Sequence, residues 1–428
     1  MTQSTSTNAT IADSTADRLR IVVVCPHFAP DIAPTGVVMT RIVAEWTAAG
    51  HEVHVVTALP WYRRHRVEDA WRGRLWRTEY TEWGSIRRLH PLSTRSKANI
   101  VGRAVGFVVF SVLAAFHAAR IGGRGRVDAV VAMSPPLTLG LAGWIAAVVR
   151  RSRLVFNVQD VFPDAVVATG AVRNRALIAA ASALEKFTYR RSAAVVVLSD
   201  GLADNVRAKI PAALRSRVVV IGNFVDTVAI IPQDRLTAYR RELGLGERPV
   251  VMYAGNVGFS QALDSLVDLA REMPDVDVVI NGDGAARPAL RERAAALGNV
   301  VFGDYQPGER LSEVLATADV HVVTLRAGLG AVSVPSKTYS ILAAARPVVA
   351  AVDADSAIDR LVRESGAGTW VAPEDLRALV AAVRTLVADP HRAREMGAAG
   401  RRWVELHATP QAVARAYERV IRSARGSL

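Results

Sequence analysis

The stretch RIVVVCPHFAPDIAPTG, Arg20 to Gly36, decides the fold. Ile21–Cys25 is an unbroken apolar, mostly β-branched run, which suits a strand buried on both faces rather than one with a wet side. Pro26, Pro30 and Pro34 then break any regular pairing, and helical spacing begins at Val37 and runs to Ala49. Strand, proline-rich loop and amphipathic helix in that order open a parallel α/β unit. Gly36 would let a ligand phosphate approach the backbone near a helix N-terminus, although the same residues also read as an ordinary strand–helix connection.

Outward from this stretch the pattern repeats. Val-rich runs recur at Val53–Thr57, Ala129–Ala132, Leu154–Val158, Ala194–Leu198 and Val218–Ile221, with helical segments such as Leu137–Val149 between them. After Asp226 it restarts with Val250–Ala254, Val276–Ile280, Val300–Phe302, Val320–Val323 and Val348–Ala351. The fold expected is α/β, two doubly wound Rossmann-like domains in series, residues 18–225 and 226–407, facing a central cleft. A last helix is expected over Gln411–Ser423, with Val413, Ala416 and Val420 on one face. Ligands of such sheets bind beyond the carboxyl ends of the strands, so the informative loops are those just after each run.

The chain has 428 residues, 50% apolar and 22% charged, which excludes a disordered or fibrous protein and fits two domains of about 200 residues. One cysteine, Cys25, excludes a disulfide framework and a cysteine-based zinc site. The net charge of +13 is uneven: up to Val225 there are 29 basic and 15 acidic residues, a net of +14, and beyond it 24 and 25, a net of −1. Only four of the 53 cations are lysines, Lys97, Lys186, Lys209 and Lys337, so a lysine at a special place carries information. Residues 1–17 are Ser/Thr/Ala-rich without an apolar core and read as a disordered leader, not a signal peptide. The longest uncharged stretch, Ala104–Ala119, is 16 residues, short of the roughly 20 that span a bilayer.

Five further loops could carry chemistry. Tyr253-Ala-Gly255-Asn256-Val-Gly258, with Gln261 and Asp264 shortly after, is a glycine-bearing strand–helix loop suited to phosphate. Asn281-Gly-Asp-Gly284 reads equally as a turn, and Gly303-Asp-Tyr305-Gln306 offers an aromatic ring that could hold a base. Pro335 and Ser336 mark a helix start with Ser336 as N-cap, which puts Lys337 in a first turn where a cation is unfavourable unless an anion joins it. Asn157-Val-Gln-Asp160-Val-Phe-Pro-Asp164 supplies two carboxylates after a buried strand, fit for acid/base or sugar-orienting work or, alternatively, for a cap and a turn.

Together these loops resemble the retaining GT-B glycosyltransferases of family 4, and within them the branch of bacterial fucosamine and colanic-acid transferases. The resemblance runs from about Arg20 to the C-terminus. Its residues are Phe28-Ala-Pro…Gly36, Gly50-His-Glu-Val53, Met133-Ser-Pro-Pro136, Gln159-Asp-Val-Phe-Pro-Asp164, Ile221-Gly-Asn-Phe-Val-Asp226, Tyr253-Ala-Gly-Asn256, Gly282-Asp-Gly284, Pro335-Ser-Lys337 and Met396-Gly…Gly400-Arg401. It implies a nucleotide-sugar donor, UDP-linked on this reading, in the C-terminal domain and an acceptor against the N-terminal one. It also implies retention at the anomeric carbon without a metal or other cofactor, and a last segment, residues 408–428, that returns to the N-terminal domain. On this reading Asp160 and Lys337 are catalytic. Gly36, Gly255, Asn256, Gln261, Gly284, Tyr305, Arg326, Ser336, Lys337 and Ser340 hold the donor, and Trp61, Arg63, Arg64 and Asp164 the acceptor. Three family features are missing. The two glutamates of the usual Glu-x7-Glu pair correspond to Val332 and Ser340, the usual donor-loop Arg and Lys to Asn256 and Gln261, and the usual His before the aspartate to Gln159. Those losses raise the stake on Lys337 and Arg326, and they leave an inactive partner protein of the same fold as an alternative.

The excess charge concentrates between Trp61 and Arg103, where 11 basic residues face four acidic ones and Trp61, Trp71, Trp76 and Trp83 stand among them. Arginine with tryptophan beside Ala104–Ala119 suits attachment to an anionic membrane, each cation contributing about 1 kcal/mol; that apolar segment equally reads as a core helix. The acceptor expected is a polyprenyl-diphosphate-linked glycan for cell-surface polysaccharide or glycolipid, and the place the cytoplasmic face of the plasma membrane, held peripherally. No nucleic-acid recognition motif accompanies the high pI of about 10.5, which argues against a nucleic-acid partner. A nucleotide-sugar epimerase of the same two-domain fold remains the enzymatic alternative.

Overall fold

The computed structural model describes residues 18–63, 66–92, 100–161, 174–329 and 337–426. Two compact units emerge: one of 1–197, 206–219 and 414–428, the other of 198–205 and 220–413. The division in contacts therefore falls between Val219 and Val220 rather than after Val225, and residues 198–205 group with the second unit.

The first unit is an eight-stranded sheet: β1 Arg20–Val24, β2 Glu52–Ala58, β3 Trp76–Thr81, β4 Gly84–Leu89, β5 Ala129–Ser134, β6 Arg153–Val158, β7 Ala194–Val197 and β8 Val218–Val220, in the order β3-β4-β2-β1-β5-β6-β7-β8. β1 pairs in parallel with both β2 and β5, Val22 lying opposite His54 on one side and Val130 on the other. All of Ile21–Val24 is 0% exposed, as a strand covered on both faces requires. The β3–β4 hairpin is antiparallel and was not expected from the sequence, because its alternating arginines and aromatics carry no apolar run. It takes up much of the Arg/Trp stretch. The Trp71 ring lies under the guanidinium groups of Arg77 and Arg88, at 4.8 and 5.1 Å, and Arg88 is buried against Glu79. Part of that stretch is therefore folded structure, not a solvated surface.

The C-terminal helix, Pro410–Gly426, extends the expected Gln411–Ser423 by a few residues at its ends. From Ala414 on it belongs to the first unit. The Trp46 indole N–H, from the helix Pro34–Ala48, donates to the Ala414 carbonyl at 3.1 Å, and its ring meets Tyr417 edge-on at 6.0 Å.

The second unit is a six-stranded parallel sheet: β9 Val250–Ala254, β10 Asp277–Asn281, β11 Val300–Gly303, β12 Val320–Thr324, β13 Val348–Ala351 and β14 Gly368–Val371, in the order β11-β10-β9-β12-β13-β14. Apolar helix faces cover it, with Leu266, Val267 and Leu269 packed near β9 and β10 and Ile341 and Leu342 near β12 and β13. In the first sheet the strand order reverses at β1 and β5, in the second at β9 and β12. Chain connections leave these neighbouring strands in opposite directions, and the loops beyond their carboxyl ends part to leave room for a ligand.

Candidate functional site

At the reversal point of the second sheet the loops after β9 and β10 lie backbone against backbone. Gly255 N–H donates to the Asn281 carbonyl at 2.9 Å and Val257 N–H to the Asp283 carbonyl at 2.9 Å. Glycine is required where they touch. A Cβ on Gly282 would stand 2.0 Å from the Gly255 carbonyl oxygen, and one on Gly284 would stand 2.4 Å from that of Val257, both at positive φ. Gln261 is turned inward, its Oε1 accepting the Gly258 N–H at 3.0 Å. Asn256 is exposed, and so is Tyr305, which lies just beyond β11.

Lys337 opens the helix Lys337–Ala343 and reaches across this floor. Its Nζ lies 3.5 Å from the centre of the Tyr253 ring at the end of β9, and the position a Gly255 Cβ would take is 3.4 Å from Nζ. The Tyr253 hydroxyl is itself fixed, donating to the Asn256 carbonyl at 2.6 Å. No carboxylate among the described residues pairs with Lys337, and burial lowers its ammonium from 10.5 to about 7. A cation held on an aromatic face without a counter-charge is poised for an anionic ligand. Ser340, one turn further on, is half-buried on the same helix.

Arg326 does not stand free. Its Nε donates to the Phe259 carbonyl at 2.6 Å, and Glu374 and Asp264 lie 3.5 and 3.7 Å from its guanidinium, so two carboxylates already offset part of its charge. Ser336, Asp164 and Arg64 lie outside the described residues, as do Val332 and the leader 1–17. Among the described residues no group of three or more His, Cys, Asp or Glu side chains could hold a metal ion.

In the first unit, Asp160 follows β6 and is exposed, yet the protein around it raises its carboxyl by desolvation. The preceding Gln159 turns its amide onto Asn157 at 2.8 Å. Gly36 sits in the first turn of its helix against His27, whose Cβ would be 2.7 Å from a Gly36 Cβ, so no side chain fits there. Trp61 stacks on His27 with ring centres 5.4 Å apart, and Arg63 is exposed. Tyr253, His27 and Asp31 were not singled out from the sequence. Each follows or ends a strand, but nothing local distinguishes it from a core or loop residue.

The helix Ile100–Ala118 is both core and surface. Phe110, Ala114 and Ala118 are buried, while Val105, Val108, Val112 and Phe116, at helical spacing, are 51–64% exposed. The neighbouring helix Thr138–Val149 adds Ile145, Val148 and Val149 to the exposed side. Arg120 lies over the Phe116 ring at 3.8 Å. Among the described residues no helix is long and apolar enough to cross a membrane.

Residues 35–223 match the family described as glycosyl transferase 4-like domain, and residues 248–389 match glycosyl transferases group 1. The Escherichia coli (strain K12) protein WcaI, described as a colanic acid biosynthesis glycosyl transferase, is 25% identical over 378 residues, covering 86% of this chain and 91% of that protein. Among solved structures, sucrose-phosphate synthase from Thermosynechococcus elongatus is similar with a TM-score of 0.69 at 19% identity, over 95% of this chain and 99% of that one. HepE from Anabaena in complex with UDP gives a TM-score of 0.67 at 13% identity, over 95% and 100%. At these identities the two structures establish the fold.

Proposed function

This chain is a GT-B glycosyltransferase, a glycosyl transferase 4-like domain joined to a glycosyl transferases group 1 domain, and from that premise we propose that it transfers a sugar with retention from a UDP-sugar to a polyprenyl-diphosphate-linked glycan in cell-surface polysaccharide biosynthesis. The observation that carries this reading is Lys337, unpaired among the described residues and lying on the Tyr253 ring beside Gly255 at the reversal point of the second sheet. In the transfer, the bond from the anomeric carbon to the diphosphate breaks and its electron pair stays on the phosphate oxygen. The acceptor oxygen bonds the same face, and its proton passes to that phosphate. The developing charge needs a donor already in place, and Lys337 is such a group without a metal. Asp160 orients the sugar or the acceptor. The name of WcaI supports the polysaccharide pathway.

Work at the cytoplasmic face of an anionic membrane is part of the proposal. The exposed faces of the two neighbouring helices and the net charge of +14 up to Val225 support it.

The test is thermal unfolding with a panel of UDP-, GDP- and ADP-sugars, since a ligand of the native state alone raises the midpoint. UDP-sugars are expected to give the largest shift. Lys337→Ala is expected to abolish that shift and to lower nucleotide release about 100-fold or more, the size of one lost charge-stabilising donor. Near-normal release by a folded Lys337→Ala would overturn the role of this lysine.

A further inference from the structure

The loop after β1 holds an imidazole that the transfer chemistry above does not use. His27 Nδ1 lies 2.7 Å from Asp31 Oδ2. Asp31 is 3% exposed, and the backbone N–H groups of Trp61 and Tyr62 also donate to it, at 3.5 and 3.3 Å. The His27 ring stacks on Trp61 at 5.4 Å with 25° between planes and meets Tyr62 edge-on at 5.5 Å. Behind it, Gly36 packs against the His27 backbone and Cβ with no room for a side chain. Arg88, 2% exposed, donates to the Ala29 carbonyl and ties the loop to Glu79 on β3. The ring is thus held in rotation by Asp31 and by Trp61 and Tyr62 from the loop after β2, while Arg88 of β4 anchors the loop backbone.

A carboxylate can only accept, so Nδ1 carries the proton, and the uncharged form of the ring offers its lone pair at Nε2. No described residue takes Nε2. The loop stands at the reversal point of the first sheet, where β1 and β5 are neighbours and a ligand has room. At the end of β6, two strands away, Gln159 has its amide turned onto Asn157, so no imidazole stands there.

We propose that His27 is an acceptor-binding residue whose Nε2 accepts a hydrogen bond from a glycan hydroxyl, with Asp31 as the positioning residue that sets its tautomer and rotation. The proposal rests on the glycosyltransferase reading and adds a residue to its acceptor side. Preorganised in this way, the ring meets a hydroxyl without losing rotamer freedom on binding.

The experiment is calorimetric binding of farnesyl-diphosphate-linked N-acetylglucosamine to the full chain, its His27→Ala, His27→Gln and Asp31→Asn variants, with nitrogen-15 spectra of the imidazoles. His27→Ala is expected to weaken binding about tenfold, the size of one hydrogen bond in a formed site. His27→Gln, whose amide oxygen can accept the same hydrogen, is expected to stay within about threefold. Asp31→Asn is expected to lose the Nδ1–H tautomer signal, and the nucleotide-induced thermal shift to persist in all three. The proposal is overturned if His27→Ala binds like the wild type, if the wild type does not bind the probe, or if its His27 Nε2 signal does not move on titration. That last measurement decides the matter should His27→Ala fail to fold. A wild type that binds the probe but no nucleotide overturns the donor reading instead, so the two failures are distinct.

Discussion

Lys337 sets the pH behaviour of the second unit. Burial lowers its ammonium to about 7, so it is charged at pH 6 and largely neutral at pH 8.5. A nucleotide-sugar keeps its diphosphate charge over that range, because both phosphates are esterified. Affinity for the nucleotide-sugar giving the largest thermal shift is therefore expected to fall as pH rises through about 7. Lys337→Arg, whose guanidinium stays protonated, is expected to flatten the profile. Stability responds in the opposite sense. The unfolded chain binds the proton up to about 10.5 and the folded one only to about 7, so the Lys337 contribution raises stability with pH between those values. Calorimetry and denaturant unfolding at pH 6, 7 and 8.5 check both signs, and a pH-independent affinity would refute the assignment. The lysine itself was legible in the sequence, because it is one of four and sits where a helix dipole disfavours a cation. The Tyr253 ring beneath it was not, since the two residues meet only through the pairing of β9 with β12.

Elements were legible where hydrophobic periodicity is strong. The Val-rich runs became strands within a residue or two, as Val250–Ala254 and Val348–Ala351 did without change. The β3–β4 hairpin was missed because Trp76–Thr81 is half wet on both faces and held largely by its partner strand. The helix Ile100–Ala118 was ambiguous for a related reason: a segment apolar all round has no polar stripe to say which side faces in. Its outward side now gives an expectation at the scale of the element. Val112→Asp with Phe116→Asp is expected to reduce co-sedimentation with phosphatidylglycerol vesicles several-fold and to leave phosphatidylcholine binding low throughout. Each substitution is expected to change stability by no more than about 0.5–1 kcal/mol, since Val112 and Phe116 are already 64% and 52% exposed. Vesicle binding unchanged in a folded double variant would rule this face out.

For the whole molecule, the uneven charge and the return of the C-terminal helix to the first unit define how the chain is built. Trp46 is 0% exposed and joins the helix Pro34–Ala48 to the helix Pro410–Gly426 through its N–H and its ring. Trp46→Ala is expected to cost about 3–5 kcal/mol in denaturant unfolding followed by circular dichroism, with Trp46→Phe costing less because it keeps the Tyr417 contact. Equal losses in the two variants would show that the ring contact contributes nothing. The sequence by itself determined two α/β units, their strands and the loops worth inspecting, because apolar period, proline and glycine act over a few residues and are written locally. Only the tertiary structure decided that Lys337 rests on Tyr253, that Asp31 orients His27 and that Arg326 is already shared between two carboxylates. These pairs depend on which strands are neighbours, and strand order is set by packing the whole sheet between its helices rather than by any single stretch of chain.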